Sequence, residues 1–259
     1  MKIVVLLKEV PDTYTDRALN LETGLADRGA SDPVVDEINE RALEVALAYA
    51  DSAPGEVEVS VMTMAPATAT ASIRKGLAMG ASSGVHIADA ALLGAGLGLT
   101  AEVLAAAIRA QDADLIVAGN QSTDGAAGML PTMLAELLGM PGLTSLSSVT
   151  IEPERVSGAR ASDSAVMQVS APLPAIISIT EELPDARFPN FKGIMAAKKK
   201  PLETRSLADL GIDAADISAS RSIMLSISER PPRTVGVKVT DDGTAAQQLA
   251  TFLAENRLV

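Results

Sequence analysis

Residue types that commonly carry chemistry are absent or rare in this sequence of 259 residues. It has no cysteine, which excludes disulfide bonds, thiol redox chemistry, and iron–sulfur or zinc sites built on cysteine. Its single histidine, His86, lies in a strand-like run without a nucleophile motif nearby, so we predict a structural histidine and no Ser–His–Asp arrangement. Carboxylates are plentiful, but no two of them can be assigned to paired acid–base catalysis. We therefore predict no catalytic residues and no metal site.

Aromatic residues and positive charge are also scarce. The aromatic share is 2%, so the core must be aliphatic. The net charge is −12, which argues against nucleic acid or an anionic membrane as a partner, because both require a basic face. No apolar run approaches the roughly 20 residues that a membrane span requires. The first eight residues are too short for a secretory signal and are typical of a strand, so we expect a cytoplasmic protein.

The first part of the chain alternates between strand-like and helix-like runs. Short apolar runs rich in β-branched residues predict strands at 3–7, 57–62, 84–87 and 115–118. Helical spacing of apolar residues predicts helices at 37–50, 67–79, 100–110 and 130–138, with Thr100 capping the third. Repeated β–α alternation predicts an α/β fold, a Rossmann-like parallel sheet with helices on both faces.

The pattern changes after Gly142. Predicted strands at 145–151, 156–161, 165–170 and 175–179 indicate a β-rich extension, or antiparallel strands added to the main sheet. Residues 181–200 look irregular, 201–232 hold little beyond a short helix near 207–210, and 245–255 is predicted as a terminal helix. We expect a nucleotide-binding core at 1–180, a loop segment at 181–201 and a C-terminal arm at 202–259.

A glycine-rich loop, Gly-Asn-Gln-Ser-Thr-Asp-Gly-Ala-Ala-Gly at 119–128, lies between a predicted strand and a predicted helix. Its glycines allow close backbone approach, and the helix N-terminus favours an anion such as a phosphate. Ser122 and Thr123 add hydroxyl donors, while Asp124 either holds the loop through its own backbone or reaches a ribose hydroxyl. The loop lacks the lysine of a Walker P-loop and the spacing of the dinucleotide fingerprint. Ligand binding is favoured over an empty glycine-rich turn.

Two of the three phenylalanines, Phe188 and Phe191, fall in the proline-broken segment 185–195. Together with Arg187, Ile194 and Met195 they have the composition of an interface hot spot. The alternative is that both rings fold back onto the core. The lysines at 198–200 fit either a solvated rim or a contact with an acidic partner.

Three segments, 116–125, 173–178 and 193–201, together resemble the β subunit of electron-transfer flavoprotein. The segments 7–13, 36–42 and 73–81 are also similar to that family. The similar segments follow one another in the family's order and cover nearly the whole chain, which makes the signal more specific than any single glycine pattern.

The resemblance implies an adenine-nucleotide-hydrolase-like fold and a heterodimer with an α subunit. It implies one FAD, held mainly by the α subunit, and one structural AMP in the β subunit. The complex is then an electron carrier of fatty acid oxidation and not an enzyme by itself. It takes electrons from acyl-CoA or related flavin dehydrogenases and passes them to the respiratory chain through electron-transfer flavoprotein–quinone oxidoreductase.

The resemblance also implies particular contacts. The phosphate of AMP is expected on the amides of residues 125–129, the arm 202–259 on the partner subunit, and Phe191 as the anchor of a partner-recognition loop. The residues near the flavin are Thr13, Tyr14 and Ile38, and those that bind the partner dehydrogenase are Arg187, Phe188, Phe191, Ile194 and Met195. The implied AMP contacts are Leu6, Asp36, Glu37, Ile38, Asn39, Met64, Gly119, Asn120, Gln121, Ser122, Thr123, Asp124, Gly125, Ala126, Ala127, Gly128, Met129 and Leu130.

The sequence departs from the family pattern at three places. Ala126, Ala127 and Met129 replace polar residues that many members carry, with Gly128 retained between them. Asp163-Ser164-Ala165 stands where many members have an acidic-glycine hairpin, and Phe191 replaces a leucine. Two other functions are alternatives to the electron-carrier subunit. One is an electron-bifurcating relative with a second FAD in the AMP site. The other is a homodimeric universal-stress-type protein that binds ATP, in which the segment after Gly142 and the phenylalanine loop have no place.

Overall fold

The computed structural model describes residues 1–15, 18–216 and 224–259, which form twelve strands and seven α-helices. Part of the predicted irregular segment 201–232, residues 217–223, lies outside the described residues. Within the described ranges no helix is both long enough and apolar enough to cross a membrane.

The strands are β1 (Lys2–Leu6), β2 (Glu9–Pro11), β3 (Pro33–Val35), β4 (Glu58–Met64), β5 (Ser83–Ile87), β6 (Leu115–Gly119), β7 (Gly142–Leu146), β8 (Ser148–Ile151), β9 (Arg155–Ala161), β10 (Val166–Pro172), β11 (Ala175–Ile179) and β12 (Leu202–Arg205). The helices are α1 (Glu37–Ser52), α2 (Thr70–Met79), α3 (Leu97–Arg109), α4 (Leu130–Leu138), α5 (Phe191–Ala197), α6 (Leu207–Leu210) and α7 (Ala245–Glu255).

Seven strands form a central sheet in the order β12-β5-β4-β1-β6-β11-β7, and all neighbours are parallel. Strand β1 lies in the middle, where Val4 pairs with Ser60 on one side and Ile116 on the other. Its run of apolar, mostly β-branched residues suits a strand that is buried on both faces. The predicted α/β fold with a parallel sheet is confirmed.

The two faces of the sheet carry separate apolar clusters. Along β1, Ile3 and Val5 belong to the cluster that includes α1 and α2, whereas Val4 and Leu6 belong to the cluster that includes α3 and α4. Alternation along the strand thus supplies both cores, because successive side chains of a strand point to opposite faces. The prediction of helices on both faces is also confirmed.

The β-rich extension after Gly142 is divided between two sheets. Strands β8, β9 and β10 form a separate antiparallel sheet of three strands, whereas β7 and β11 join the central sheet in parallel. Nearer the N-terminus, β2 and β3 form a small antiparallel pair.

Four predicted elements need correction. Helix α3 begins at Leu97 with Gly96 as its cap, and the Thr100 hydroxyl donates to the Gly96 carbonyl at 3.0 Å from inside the helix, so Thr100 is not the cap. The predicted strand 145–151 is two strands, β7 and β8. The segment 181–200 contains α5, and 201–232 contains the sheet strand β12.

The chain divides into two compact units, Met1–Leu225 and Ser226–Val259. The first contains the central sheet and both apolar clusters. The second contains α7, none of whose residues is buried and whose large apolar residues Leu249 and Phe252 are exposed.

Candidate nucleotide site and docking loop

Three neighbouring strands, β4, β1 and β6, end together at the carboxyl edge of the central sheet, where open parallel sheets bind ligands. Their last residues are Met64, Leu6 and Gly119, all predicted nucleotide contacts. A Cβ at Gly119 would lie 2.6 Å from Ile38 Cγ2 and 2.9 Å from Asn39 Nδ2. Glycine is therefore required there, because the first turn of α1 crosses directly over the end of β6.

Asp36, which precedes α1, connects that helix to the glycine-rich loop. Its Oδ2 accepts hydrogen bonds from the Thr123 amide at 2.8 Å and the Thr123 hydroxyl at 3.2 Å. The residue is 1% exposed, and its Oδ1 is buried with no hydrogen-bond partner among the described residues. Burial raises the pKa of Asp36 above its ordinary value, although the Thr123 hydrogen bonds oppose the shift. An unpaired buried oxygen of this kind calls for a proton or a ligand donor.

Asp124 holds the loop from the opposite side. It accepts the Lys8 ammonium at 2.6 Å, the Arg28 guanidinium at 3.2 Å and the Gly125 amide at 2.6 Å. Burial of Asp124 raises its pKa, but the hydrogen bonds from Lys8 and Ser122 and the Lys8 charge outweigh burial and lower the pKa to about 2. Of the two predicted roles for Asp124, the structure shows the first, a bond to its own loop backbone.

The loop offers backbone donors just before α4. Ala127, Gly128 and Met129 are exposed residues, and their amides donate no hydrogen bond within the part of the chain that the structure describes. Ala126 and Gly128 have left-handed φ angles of 47° and 65°. Such alternation turns successive amides toward one side, and a helix N-terminus adds its positive dipole end. The arrangement suits an anion.

A pocket of about 290 Å³ lies beside the loop at the start of α1. A larger pocket of about 700 Å³ lies at the amino edge of the sheet, near Met1, Asp114 and Pro174, and no predicted site residue lines it. We assign the smaller pocket to the site, because ligands of parallel sheets bind at the carboxyl edge. Its lining residues are Asp36, Glu37, Ile38, Arg41, Asn120, Gln121, Ser122, Thr123 and Glu181.

Leu6, Thr13, Tyr14 and His86 do not line this pocket. Leu6 is buried in the second apolar cluster, and Thr13 and Tyr14 lie between β2 and β3, with Tyr14 96% exposed. His86 is buried and its Nε2 lies 3.0 Å from the Ala65 carbonyl oxygen, which confirms a structural role. Among the described residues no group of three His, Asp or Glu side chains could hold a metal ion.

Sequence reasoning missed four side chains at this edge. Lys8 lies two positions after β1 and Glu181 two positions after β11, so their positions after strands could have indicated them. Arg28 and Arg41 carry no such signal. Arg28 reaches Asp124 across 96 positions of sequence, a distance that no local pattern reveals.

The phenylalanine segment, residues 183–195, forms an exposed loop that ends in α5 and is the candidate docking loop. Phe188 is 95% and Phe191 80% exposed, so the alternative that both rings fold onto the core is wrong. Ile194 and Met195 are about half exposed beside them. Asn190 caps α5 by accepting the Gly193 amide at 2.8 Å. Four large apolar side chains within eight residues are thus exposed, which is unusual for a segment without a partner.

Charged residues flank this loop. The Arg187 guanidinium bonds Glu44 and Asp51 of α1. Lys198 and Lys199 are exposed, whereas Lys200 donates to the Leu77 and Ala81 carbonyls and burial lowers its pKa. The lysine run therefore combines two solvated residues with one that is held by the protein.

Comparisons with known proteins agree with this architecture. The model of the electron transfer flavoprotein domain matches residues 24–210. The electron transfer flavoprotein subunit beta of Mycobacterium tuberculosis is 42% identical over 263 residues, covering 99% of each chain. The chain belongs to the electron transfer flavoprotein family.

Other members of the electron transfer flavoprotein family extend the comparison. The subunit beta of Mycobacterium leprae is 40% identical over 265 residues, covering 99% of each chain. CarD, a subunit of the caffeyl-CoA reductase–Etf complex of Acetobacterium woodii, is 31% identical over 256 residues, which cover 98% of this chain and 96% of CarD. Membership in this family supports electron transport and a flavoprotein assembly, and thus a carrier rather than a self-contained catalyst.

Proposed function

We propose that this chain is the β subunit of a heterodimeric electron-transfer flavoprotein in the cytoplasm. The complex accepts electrons from flavin dehydrogenases, such as acyl-CoA dehydrogenases, and passes them to the respiratory chain through electron-transfer flavoprotein–quinone oxidoreductase. FAD, held mainly by the α subunit, supplies the electron transfer when bound. The family relation over the full chain supports this role.

The β subunit's own ligand in this proposal is AMP, bound at the carboxyl edge. The observation that carries it is the row of free amides at Ala127, Gly128 and Met129, which fits a phosphate without needing side-chain donors. This also accommodates the departure from the family pattern at those positions, since the backbone remains available. Asp36, with its unpaired Oδ1, fits a hydroxyl or amine donor of the adenosine.

The chain contributes structure and docking rather than chemistry in this proposal. The nucleotide ties together the starts of α1 and α4. Tyr14, exposed between β2 and β3, is free to meet the flavin domain. The docking loop offers Phe191 as the apolar anchor for a dehydrogenase, with Phe188, Ile194 and Met195 around it.

A specific observation favours one alternative. Similarity to CarD keeps open a complex in which a second FAD occupies the nucleotide site. To decide, the chain is co-expressed with its companion subunit and the bound cofactors are extracted and counted. One FAD and one AMP per complex supports the proposal, two FADs support the alternative, and ATP on a homodimer contradicts both.

The docking role is tested by Phe191→Ala. We expect the FAD content and melting temperature to stay unchanged, because the ring is exposed and packs against little. We expect the dehydrogenase concentration that gives half-maximal flavin reduction to rise about tenfold or more, as for a hot-spot aromatic. Val166→Ala, another exposed apolar truncation at a distant strand, serves as the control. Unchanged reduction kinetics for Phe191→Ala would count against the docking role.

A further inference from the structure

The docking loop is held at the protein surface although its apolar side chains face solvent. Exposed loops with so few packed side chains are ordinarily mobile, and ordering them on binding weakens association. The structure shows contacts at both ends of the loop that remove this freedom before a partner arrives.

The first contact is a bidentate ion pair between Arg187 and Glu44 of helix α1, the Arg187–Glu44 fork. Arg187 Nε and one terminal nitrogen bond the two Glu44 carboxylate oxygens at 2.7 and 2.8 Å, and the other terminal nitrogen bonds Asp51 Oδ2 at 2.9 Å. The Arg187 amide also donates to Glu44 Oε2 at 3.1 Å. Bidentate geometry and a bond to the backbone fix both the side chain and the chain direction just before Phe188.

Three charged side chains of helix α1 bond residues of the docking loop. Arg41, Glu44 and Asp51 are spaced by three and seven positions, which places them on one side of the helix. Arg41 bonds the Leu183 carbonyl and pairs with Asp185, so it holds the loop earlier along the chain. The same helix begins at the nucleotide site, at Asp36 and Ile38.

The second contact joins α5 to helix α2. A Cβ at Gly193 would lie 2.4 Å from the Ala78 carbonyl oxygen, so the helices approach closely only because the residue is glycine. Arg74 donates to the Ala197 carbonyl, and Lys200 donates to the Leu77 and Ala81 carbonyls at 2.8 and 2.6 Å. The C-terminal end of the loop is therefore also fixed to the core.

We infer that Arg187 and Glu44 are positioning residues that preorganise the docking loop, so that Phe188 and Phe191 are presented to the partner dehydrogenase in a single arrangement. This inference rests on the proposed docking function of the loop. Arg187, predicted as a partner contact, acts here through the loop, because three of its five guanidinium N–H donors are bonded to carboxylates of its own chain. The gain is entropic, because a fixed loop loses less freedom on binding.

The test uses the complex with the flavin-binding companion subunit and a substrate-reduced acyl-CoA dehydrogenase as the probe. Glu44→Gln keeps the size of the side chain and removes the charge, and Arg187→Lys keeps the charge and removes the fork. Both variants are expected to raise the half-saturating dehydrogenase concentration about tenfold, with the maximal rate and FAD content unchanged. Amide hydrogen exchange at 186–191 is expected to accelerate in both. A merely structural role would not produce this split between half-saturation and maximal rate.

Glu40→Gln is the matched control, because Glu40 lies on the same helix and pairs with Lys75, which is not a residue of the loop. It is expected to change half-saturation by no more than about twofold. If Phe191→Ala weakens docking while Glu44→Gln and Arg187→Lys behave like the control, the positioning inference is overturned and the docking proposal stands. If Phe191→Ala itself has no effect, the docking proposal fails and the inference fails with it.

Discussion

Asp124 and Asp36, the two aspartates of the candidate nucleotide site, occupy opposite electrostatic environments. Asp124 forms ion pairs with Lys8 and Arg28, and its pKa falls to about 2 despite burial. Asp36 is buried more completely, has one oxygen without a partner, and its pKa rises. One is a fixed charge that fastens the loop, and the other is sensitive to protons and to any ligand donor that reaches it.

Asp124→Asn is expected to destabilise the protein by about 1–3 kcal/mol at pH 7, because Lys8 and Arg28 lose their shared carboxylate. A lowered pKa contributes stability that is present above pH 3.8 and is lost as the pH falls toward about 2. The difference from the wild type should therefore shrink over that window. Urea unfolding at pH 7 and near pH 2.5 measures it, with the exposed Asp163→Asn as the control. An equal difference at both pH values would contradict the assignment.

Asp36→Asn tests the raised pKa. In the wild type, burial penalises the charged form of Asp36. The stability of the wild-type protein relative to the variant should therefore improve as the pH falls through the raised pKa toward 3.8. The amide oxygen of asparagine can still accept from Thr123, which keeps the connection to the loop. Melting temperatures of the nucleotide-free complex between pH 4.5 and 7.5 provide the measurement. Parallel curves for the two proteins would show that Asp36 does not titrate in this range.

Residue positions in the site were predictable only where chemistry is local or carried by the family pattern. Gly119, Asp36 and the loop hydroxyls follow from strand ends and from the resemblance. The Arg187–Glu44 fork joins residues 143 positions apart, and neither side chain carries a distinguishing pattern of its own. Such pairs become visible only when the sheet brings their elements together.

At the scale of elements, the sequence predicted correctly those helices and strands whose apolar residues pack against a core. The bounds of α4 and β11 were predicted correctly because their apolar residues repeat against a core. Helix α5 was missed because it is short and turns its apolar residues to solvent, and β12 was missed because an exposed edge strand, Leu-Glu-Thr-Arg, has a polar composition. Both elements depend on contacts with distant residues rather than on local periodicity.

Gly193→Ala tests how α5 is held. The added methyl group collides with the Ala78 carbonyl, a backbone atom that cannot move aside easily. We expect α5 to shift from α2, at about 1–3 kcal/mol of lost stability. Thermal unfolding and hydrogen exchange across 191–197 provide the measurement. Gly55→Ala, with no atom within 4 Å of the new Cβ, is the control. An unchanged melting temperature together with unchanged exchange would show that α5 tolerates the methyl group in place.

At the scale of the whole molecule, the two compact units differ in how they are stabilised. Unit Met1–Leu225 contains both apolar clusters and every strand of the central sheet. Unit Ser226–Val259 exposes Val235, Val237, Leu249 and Phe252, and its helix α7 has no buried residue. An arm with this composition is expected to gain stability by packing on another surface, and we propose the companion subunit as that surface.

A chain ending at Leu225 is therefore expected to fold cooperatively, since its core is complete, and to lose most of its association with the companion subunit. Circular dichroism melting of the isolated chain checks the first part, and co-purification with the tagged companion checks the second. Recovery of a stoichiometric complex would show that the arm contributes little to the heterodimer. Loss of the cooperative transition would show that the first unit depends on the arm.

Strand β12 has a consequence for the newborn chain. It forms the outer edge of the central sheet beside β5, yet it is the last strand of that sheet to leave the ribosome. Until residue 205 has emerged, β5 presents an unpaired row of backbone groups beside the apolar Val85 and Ile87, and such edges recruit other chains. Fragments released shortly before residue 202 should therefore be prone to aggregation and require chaperones, whereas fragments that extend past residue 205 can pair β12 with β5.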